Sequence, residues 1–298
     1  MMKVLVLGGN GFIGSNIAAQ LKRKNNEVLI GSRKSGNTNV RQICMQNMIN
    51  TEDWLNALQG IDVVVNSVGI LRERRGESYN VIHALAPEAL ANACAELGVK
   101  LIHISAIGLN DQAKSNFIRS KYYGELAVLA SGANAIIVRP SLLDGQIGNG
   151  GAGYGAKWFR RVASWPVQFV MKSNGLVAPL QVTDLGEGVA NLCQMGFDGL
   201  PNVIELGGND ILTIPQYLLA LRASNNKKEA IQIAIPKWLV RVASHIFDAL
   251  ALTPLSLGHF ELMQGCNVPA VNWLPALLGR RPSDLRAQAS SGELVCIA

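Results

Sequence analysis

The 298-residue chain is short of charge: Asp, Glu, Lys and Arg make up 16% of it while apolar residues make up 49%, where globular chains carry about 25% charged residues. That balance excludes intrinsic disorder and requires a large core under a charge-poor surface. Paired cysteines are also missing. Cys44, Cys94, Cys193, Cys266 and Cys296 form no C-x-x-C and no Cys/His cluster, so neither a metal site nor a disulfide framework is expected, and they read as reduced, mostly buried thiols. The longest uncharged stretch, Leu262 to Gly279, carries Pro269, Pro275, Gly265, Gln264 and two asparagines and cannot form a lipid-spanning helix. The net charge of +6 comes from scattered cations rather than a dense basic patch interleaved with aromatics. Nucleic acid is therefore not an expected partner. MMKVLVLGGNGFIG runs straight into a glycine loop without a cleavable signal pattern, so a cytoplasmic location is expected, with any membrane relation peripheral and on the inner face.

Short β-branched runs alternate with helical patterns over the first two-thirds, the mark of βαβ units and a parallel sheet. Strands are expected at Lys3–Leu7, Glu27–Ile30, Asp62–Asn66, Lys100–Ser105 and Ala135–Arg139. Helices are expected over Ile13–Lys24, Thr51–Gln59, Ala86–Leu97 and Phe117–Leu129. Right-handed crossovers then give an α/β, Rossmann-type doubly wound parallel sheet. After the glycine-rich GQIGNGGAGYG near residue 145 come Trp158, Trp165, Trp238 and Trp273, four of the five tryptophans. A smaller C-terminal lobe follows from that change of character: residues 1–150 form the nucleotide-binding domain and 151–298 the substrate or partner lobe, with elements from about 176–210 returning to the first. Over 237–250 apolar residues at helical spacing leave Lys237, Arg241, His245 and Asp248 on the opposite face, a pattern that covers a core or lies on a surface.

VLVLGGNGFIGSNI places Gly8, Gly11 and Gly14 as G-x-x-G-x-x-G between an apolar strand and a helix. Glycines there permit a tight turn and close approach of backbone to a pyrophosphate, while the N–H groups at the start of the helix, around Phe12 and Ile13, attract the phosphates. A dinucleotide is the expected cofactor. The second strand ends in Ser32, Arg33 and Lys34 without the acidic residue that would take an NAD ribose hydroxyl, so Arg33, helped by Ser32 and Lys34, is expected to hold the 2′-phosphate of NADP(H) in preference to NAD(H).

These motifs, with IDVVVNSVGIL, QNMINTEDW, SKYYGELAV, ANAIIVRPSLLDG and VTDLGEGVA in order, resemble the extended and atypical short-chain dehydrogenase/reductases of the NAD-dependent epimerase/dehydratase group. Within it the chain is most similar to the branch of nucleotide-binding accessory subunits of respiratory complex I and their bacterial relatives, some tied to quinone metabolism. The resemblance implies that Asn66, Ser67, Val68 and Gly69 line the adenine ribose and floor the cofactor cleft and that Asn47 and Met48 stand beside the adenine. It implies that Pro140 and Ser141 border the nicotinamide, that Lys121 holds its ribose, and that Ser105 is the catalytic serine.

The family's proton-transferring Tyr stands four residues before the Lys, because i and i+4 share a helix face. Here that position holds Phe117, and phenylalanine transfers no proton. Tyr122 and Tyr123 point about 140° and 240° away from it, while Tyr79 and Tyr154 lie on other segments. Two readings stand: a weakly or non-catalytic NADP(H)-binding protein that senses redox state or assists assembly, and an NADPH-dependent oxidoreductase or nucleotide-sugar epimerase/dehydratase with an unconventional acid/base. A quinone or another small apolar molecule would suit the oxidoreductase as substrate. The charge-poor, tryptophan-bearing lobe and the basic Trp158–Arg161 segment suit a protein partner or a membrane surface.

Overall fold

The computed structural model describes residues 1–34, 36, 38–145, 154–171, 174–236 and 257–285; most of the glycine run after Gly145, the amphipathic stretch at 237–250 and Cys296 lie outside the described residues. The β-branched runs form β1 (Lys3–Leu7), β2 (Glu27–Ser32), β3 (Val40–Gln42), β4 (Val63–Asn66), β5 (Lys100–Ile104) and β6 (Ala135–Pro140). Together with the strand Val203–Leu206 they make one seven-stranded sheet, ordered Val203–Leu206, β6, β5, β4, β1, β2, β3. Every pairing in it is parallel. The chain thus winds outward both ways from β1, and the crevice between the carboxyl ends of β1 and β4 is where such sheets take ligands.

Side chains alternate strictly across the sheet. Val4, Val6, Ile30, Val65 and Ile102 pack beneath α1 (Phe12–Arg23) and α6 (Val182–Met195). Leu5, Leu7, Val64 and Leu101 pack beneath α2 (Thr51–Leu58) and α3 (Ala86–Leu97) on the other face. With both faces covered there is no solvent side for charged residues, which accounts for much of their scarcity. The expected helices appear within a residue or two of their expected ends, and the strand at Val203–Leu206 returns to the sheet after α6.

The turn before α3, Val81–Leu85, is π-helical. Against it lies α4 (Asn116–Ala130), capped by the Ser115 hydroxyl, which accepts from Phe117 N at 3.2 Å. The two elements touch at Gly124, where a Cβ would stand 1.7 Å from the carbonyl oxygen of His83. Arg139 of β6 fastens α4 to the sheet through the buried Glu125, with Nε 3.0 Å from each carboxylate oxygen.

Beyond the sheet, α5 (Tyr154–Ala163) and α7 (Ile214–Ser224) share a small core in which the rings of Phe159 and Tyr217 meet at 5.6 Å. The basic Trp158–Arg161 segment is divided by this packing. Phe159 is buried, Arg160 donates to the buried carboxylate of Asp144 at 3.0 Å, and Arg161 is exposed. Among the described cysteines, Cys94 and Cys193 are buried and burial pushes both thiols up to about 12, Cys44 is half-buried and Cys266 is exposed, so fewer are buried than the mostly buried set expected. No helix among the described residues is long and apolar enough to cross a membrane.

The contact at Gly124 is testable. An Ala at this buried helix position would gain about 1 kcal/mol of helix propensity, yet the 1.7 Å clash requires α4 to move off the π turn. Gly124→Ala should therefore lower the free energy of unfolding by about 1–3 kcal/mol in denaturant titration; a variant as stable as wild type would show that the contact is not tight.

Candidate functional site

The sequence builds the first wall of the crevice from glycine. Gly8 sits at φ 72°, in the left-handed region, and Gly14 packs so closely over it that a Cβ on Gly14 would stand 2.3 Å from the Gly8 carbonyl oxygen. Gly9 is pressed against Ile30, which a Cβ would approach to 2.6 Å. Gly11 differs: its Cβ would meet only the Gly8 carbonyl oxygen, at 3.1 Å, so the loop is open at that point. Gly11 also caps α1 without a side chain, and the first turn holds no acidic residue. The N–H groups of Phe12 and Ile13 therefore have no intrahelical partner and face the crevice end of the sheet with the helix dipole behind them, an arrangement that binds phosphate. Phe12 lies beside Gly145, at the start of the glycine-rich run.

The next strands supply the flanks. At the end of β2 the Ser32 hydroxyl accepts from Asn10 Nδ2 at 3.2 Å and from Lys34 N at 3.3 Å, leaving its own proton to donate. Arg33 is exposed and pairs with Glu77, a residue from the segment after β4. Asn47 is exposed and Met48 half-buried just past β3, where the Met48 carbonyl accepts from the indole of the buried Trp54 at 3.0 Å. Ser67, Val68 and Gly69 follow β4, with the Ser67 hydroxyl tied to the Leu7 carbonyl at 2.6 Å. The phosphate loop and the β4 end are thereby joined.

At the far end of the crevice Lys121 of α4 approaches Gly69, whose Cβ would lie 3.8 Å from the lysine Nζ and 3.7 Å from His83 Nε2. Lys121 makes no hydrogen bond or ion pair with the described residues, and desolvation lowers its pKa against the opposing pull of Glu125. Ser105, immediately after β5, is buried, and its hydroxyl has no partner among the described residues. Ser105 N donates to the Val138 carbonyl at 2.8 Å, which sets the residue beside the end of β6 at Pro140. Ser141 is otherwise engaged: its hydroxyl accepts from Ala178 N at 3.0 Å and donates to the Asn267 carbonyl, binding the later segments to the sheet.

Phe117 is buried in a cluster of rings. Tyr79 meets it edge-on at 5.8 Å, His83 at 5.5 Å, and Gly258 leaves room for it, since a Cβ there would stand 2.9 Å from the ring. Tyr79 donates its hydroxyl to the Leu71 carbonyl at 2.8 Å and stacks on His83 at 5.4 Å. Tyr122 and Tyr123 contact each other and Tyr123 is exposed. His83 Nε2 accepts from Ile70 N at 3.1 Å, which assigns the proton to Nδ1, 3.0 Å from Ser120 Oγ; that hydroxyl in turn donates to the Phe117 carbonyl at 3.0 Å. His103, buried in β5, accepts at Nδ1 from Asn66 at 3.1 Å. Burial, then Lys121, lowers both histidines, His103 to about 3. Both are held neutral near neutral pH and link β4, β5, α4 and the π turn through these hydrogen bonds. Among the described residues no three His, Cys, Asp or Glu side chains gather as a metal would need.

Asn10, Glu77 and Ser120 have no sequence signal of their own, and the pairing of Asn66 with His103 joins two strands that no local pattern relates. Asn10 was legible only as part of the glycine loop, and Glu77 stands 44 residues from Arg33.

Residues 2–199 match the family model described as the RmlD substrate binding domain. The chain is 23% identical over 261 residues, 84% of its length and 71% of the relative's, to a Dictyostelium discoideum protein named NADH dehydrogenase [ubiquinone] 1 alpha subcomplex subunit 9, mitochondrial. It is 28% identical over 200 residues to the rat protein of that name, covering 62% of this chain and about half (52%) of the rat chain. It is 25% identical over 218 residues, 66% of this chain and 67% of the other, to a dTDP-4-dehydrorhamnose reductase of Mycobacterium tuberculosis. A Staphylococcus aureus nucleoside-diphosphate-sugar epimerase superposes with a TM-score of 0.74 at 16% identity over 97% of this chain and 99% of that one, a likeness of fold.

The buried histidines generate a pH prediction. His103 titrates near 6.5 when unfolded and at about 3 when folded, so between those values the unfolded chain binds more protons and stability rises with pH. The wild type should lose stability as pH falls below about 6.5, and His103→Gln should lose it less steeply, though not flatly, because His83 also stays neutral when folded. Unfolding midpoints across pH measure this; identical slopes would remove His103 from the account.

Proposed function

The chain belongs to the RmlD substrate binding domain family, within the extended short-chain dehydrogenase/reductases, and on that footing we propose that it is an NADP(H)-binding protein that is weakly catalytic or non-catalytic. In this reading it senses redox state or assists an assembly. The observation that carries the nucleotide part is the bare N-terminus of α1 above the open Gly11, with no side-chain cap and no acid in its first turn. The pyrophosphate would lie on the N–H groups there. Ser32, Arg33 and Lys34 would take the 2′-phosphate, Asn47 and Met48 would flank the adenine, Ser67 to Gly69 would line the ribose, and Lys121 would hold the nicotinamide ribose beside Pro140 and Ser141. When bound, the nucleotide supplies a hydride or accepts one.

The catalytic part rests on Phe117. A buried phenyl ring among Tyr79, His83 and Gly258 offers no proton to a carbonyl, and the nearby hydroxyl of Tyr79 and Nδ1–H of His83 are committed to Leu71 and Ser120. Relatives named as subunits of NADH dehydrogenase support an assembly role among protein partners. The reductase reading keeps one specific support: the Ser105 hydroxyl and the Lys121 ammonium, both without partners among the described residues, could hold a substrate oxygen and a ribose. Relatives named dTDP-4-dehydrorhamnose reductase and ceramide reductase fit that second reading.

Fluorescence titration separates the cofactor claims. Arg33→Ala should weaken NADPH by about 10–100-fold, the value of a charge-assisted phosphate contact, and leave NADH within about twofold. Equal losses for the two would take Arg33 out of the site. On the same preparations, turnover of aldehydes, ketones and quinones with NADPH should be negligible, and robust turnover would establish the reductase reading instead.

A further inference from the structure

Strands Val167–Met171 and Ile231–Ile235 pair in parallel, with Val167 opposite Ile231 and Phe169 opposite Ile233. Their inner face is well used. Val170 packs into the α5–α7 core, Gln168 is fully buried and donates to the Ala163 carbonyl, and Gln232 donates to Gln168 at 3.0 Å. The outer face is apolar and open: Phe169 is 58% exposed, Ile231 69% and Ile233 45%, with Val167 and Trp165 exposed beside them. Scattered apolar residues on a surface need no explanation, but five on one small sheet and its adjoining turn form a contiguous patch.

The edge of this patch is basic, and the geometry shows why. Arg222 of α7 donates to the carbonyls of Ala163, Ser164 and Trp165, at 3.1, 3.0 and 3.0 Å, and also to that of Lys228. It pins the 225–228 turn against the end of α5. Ile231 N then donates to the Pro166 carbonyl at 3.0 Å, which draws the two strands into register. The exposed cations Lys227 and Lys228 from one turn, and Arg161 from the last turn of α5, thus stand at the same edge as Trp165, Val167 and Ile231, with Glu229 the single acid in that turn. A tryptophan and aliphatic face bordered by lysines and an arginine matches the two layers of a bilayer surface, apolar below and anionic above.

We propose that this outer face, with Trp165, Phe169, Ile231 and Ile233 as the inserting groups and Arg161, Lys227 and Lys228 as the headgroup contacts, docks the protein on an anionic lipid surface. The contact is peripheral, and it is independent of whether the crevice binds a nucleotide.

Flotation of the full chain with phosphatidylcholine vesicles, with and without phosphatidylglycerol, tests it. The wild type should bind the anionic vesicles and release at high salt. Lys227→Ala/Lys228→Ala should bind about 25-fold more weakly, about fivefold for each cation removed, and Phe169→Asp, a change at an exposed position, should abolish binding while the protein stays folded by circular dichroism. Equal binding to neutral and anionic vesicles would overturn the proposal. So would absence of binding: combined with a dimer that Phe169→Asp dissociates in light scattering, it would assign the face to a second copy. Combined with a thermal midpoint lowered by Phe169→Asp, it would assign the face to the 237–250 segment of this chain.

Discussion

A Cβ at residue 14 would stand 2.3 Å from the carbonyl oxygen of Gly8, so α1 can rest on the end of β1 only with glycine at that contact. The rest of the crevice depends on this approach. It sets the bare helix N-terminus directly over the carboxyl edge of the sheet, where Ser67 ties β4 to Leu7 and where β2 delivers Ser32 and Arg33. Any side chain at Gly14 would lift the helix, and the phosphate-binding N–H groups with it, because their position is the position of the helix.

Charge is scarce in this chain, and much of what lies inside is used as fastening. Glu125 with Arg139 holds α4 to β6, Asp144 with Arg160 holds α5 to the segment after β6, and Asp184 with Arg280 fixes the segment beyond Leu274–Leu278 against α6. A buried ion pair adds little net stability over apolar packing, but removing one partner strands the other, so each pair fixes one arrangement of its elements. Neutral links complete the pattern at His83 and His103, whose depressed pKa values follow from burial beside Lys121. Burial does most of this, and the Lys121 cation beside them adds to it.

Much of this was legible in the sequence. Glycines between an apolar run and a helical pattern gave the loop, because their spacing reports backbone contacts that only glycine allows, and uninterrupted β-branched runs gave the central strands. Less local features were not readable. β3 is three residues long and has no periodicity to detect. The π turn at Val81–Leu85 lies against Gly124, a contact with a distant part of the chain that VIHAL alone does not announce. Arg33 was legible as a cation at the right strand end, but its partner Glu77 lies 44 residues away, and ion pairs at such separation have no pattern in one sequence. Ser141 shows the same limit: its place after β6 was readable, whereas its hydroxyl's engagement with Ala178 and Asn267 depends on elements that pack there from elsewhere.

On the proposed reading, Phe117 separates nucleotide binding from proton transfer. The nucleotide contacts proposed above are spread over backbone N–H groups, three strand ends and one lysine, whereas a proton donor is a single side chain. Proton transfer in the family the chain resembles depends on one phenolic hydroxyl, and a phenyl ring in its place keeps every packing contact. The ring still fills the space bounded by Tyr79, His83 and Gly258, and α4 still presents Lys121 to the crevice. Replacing the hydroxyl therefore costs the fold nothing, while a hydroxyl left there without a ligand would be a buried polar group to satisfy. On the proposed reading, a chain that binds a nucleotide without transferring protons has no use for that hydroxyl, and phenylalanine fills the space without a buried polar group to satisfy.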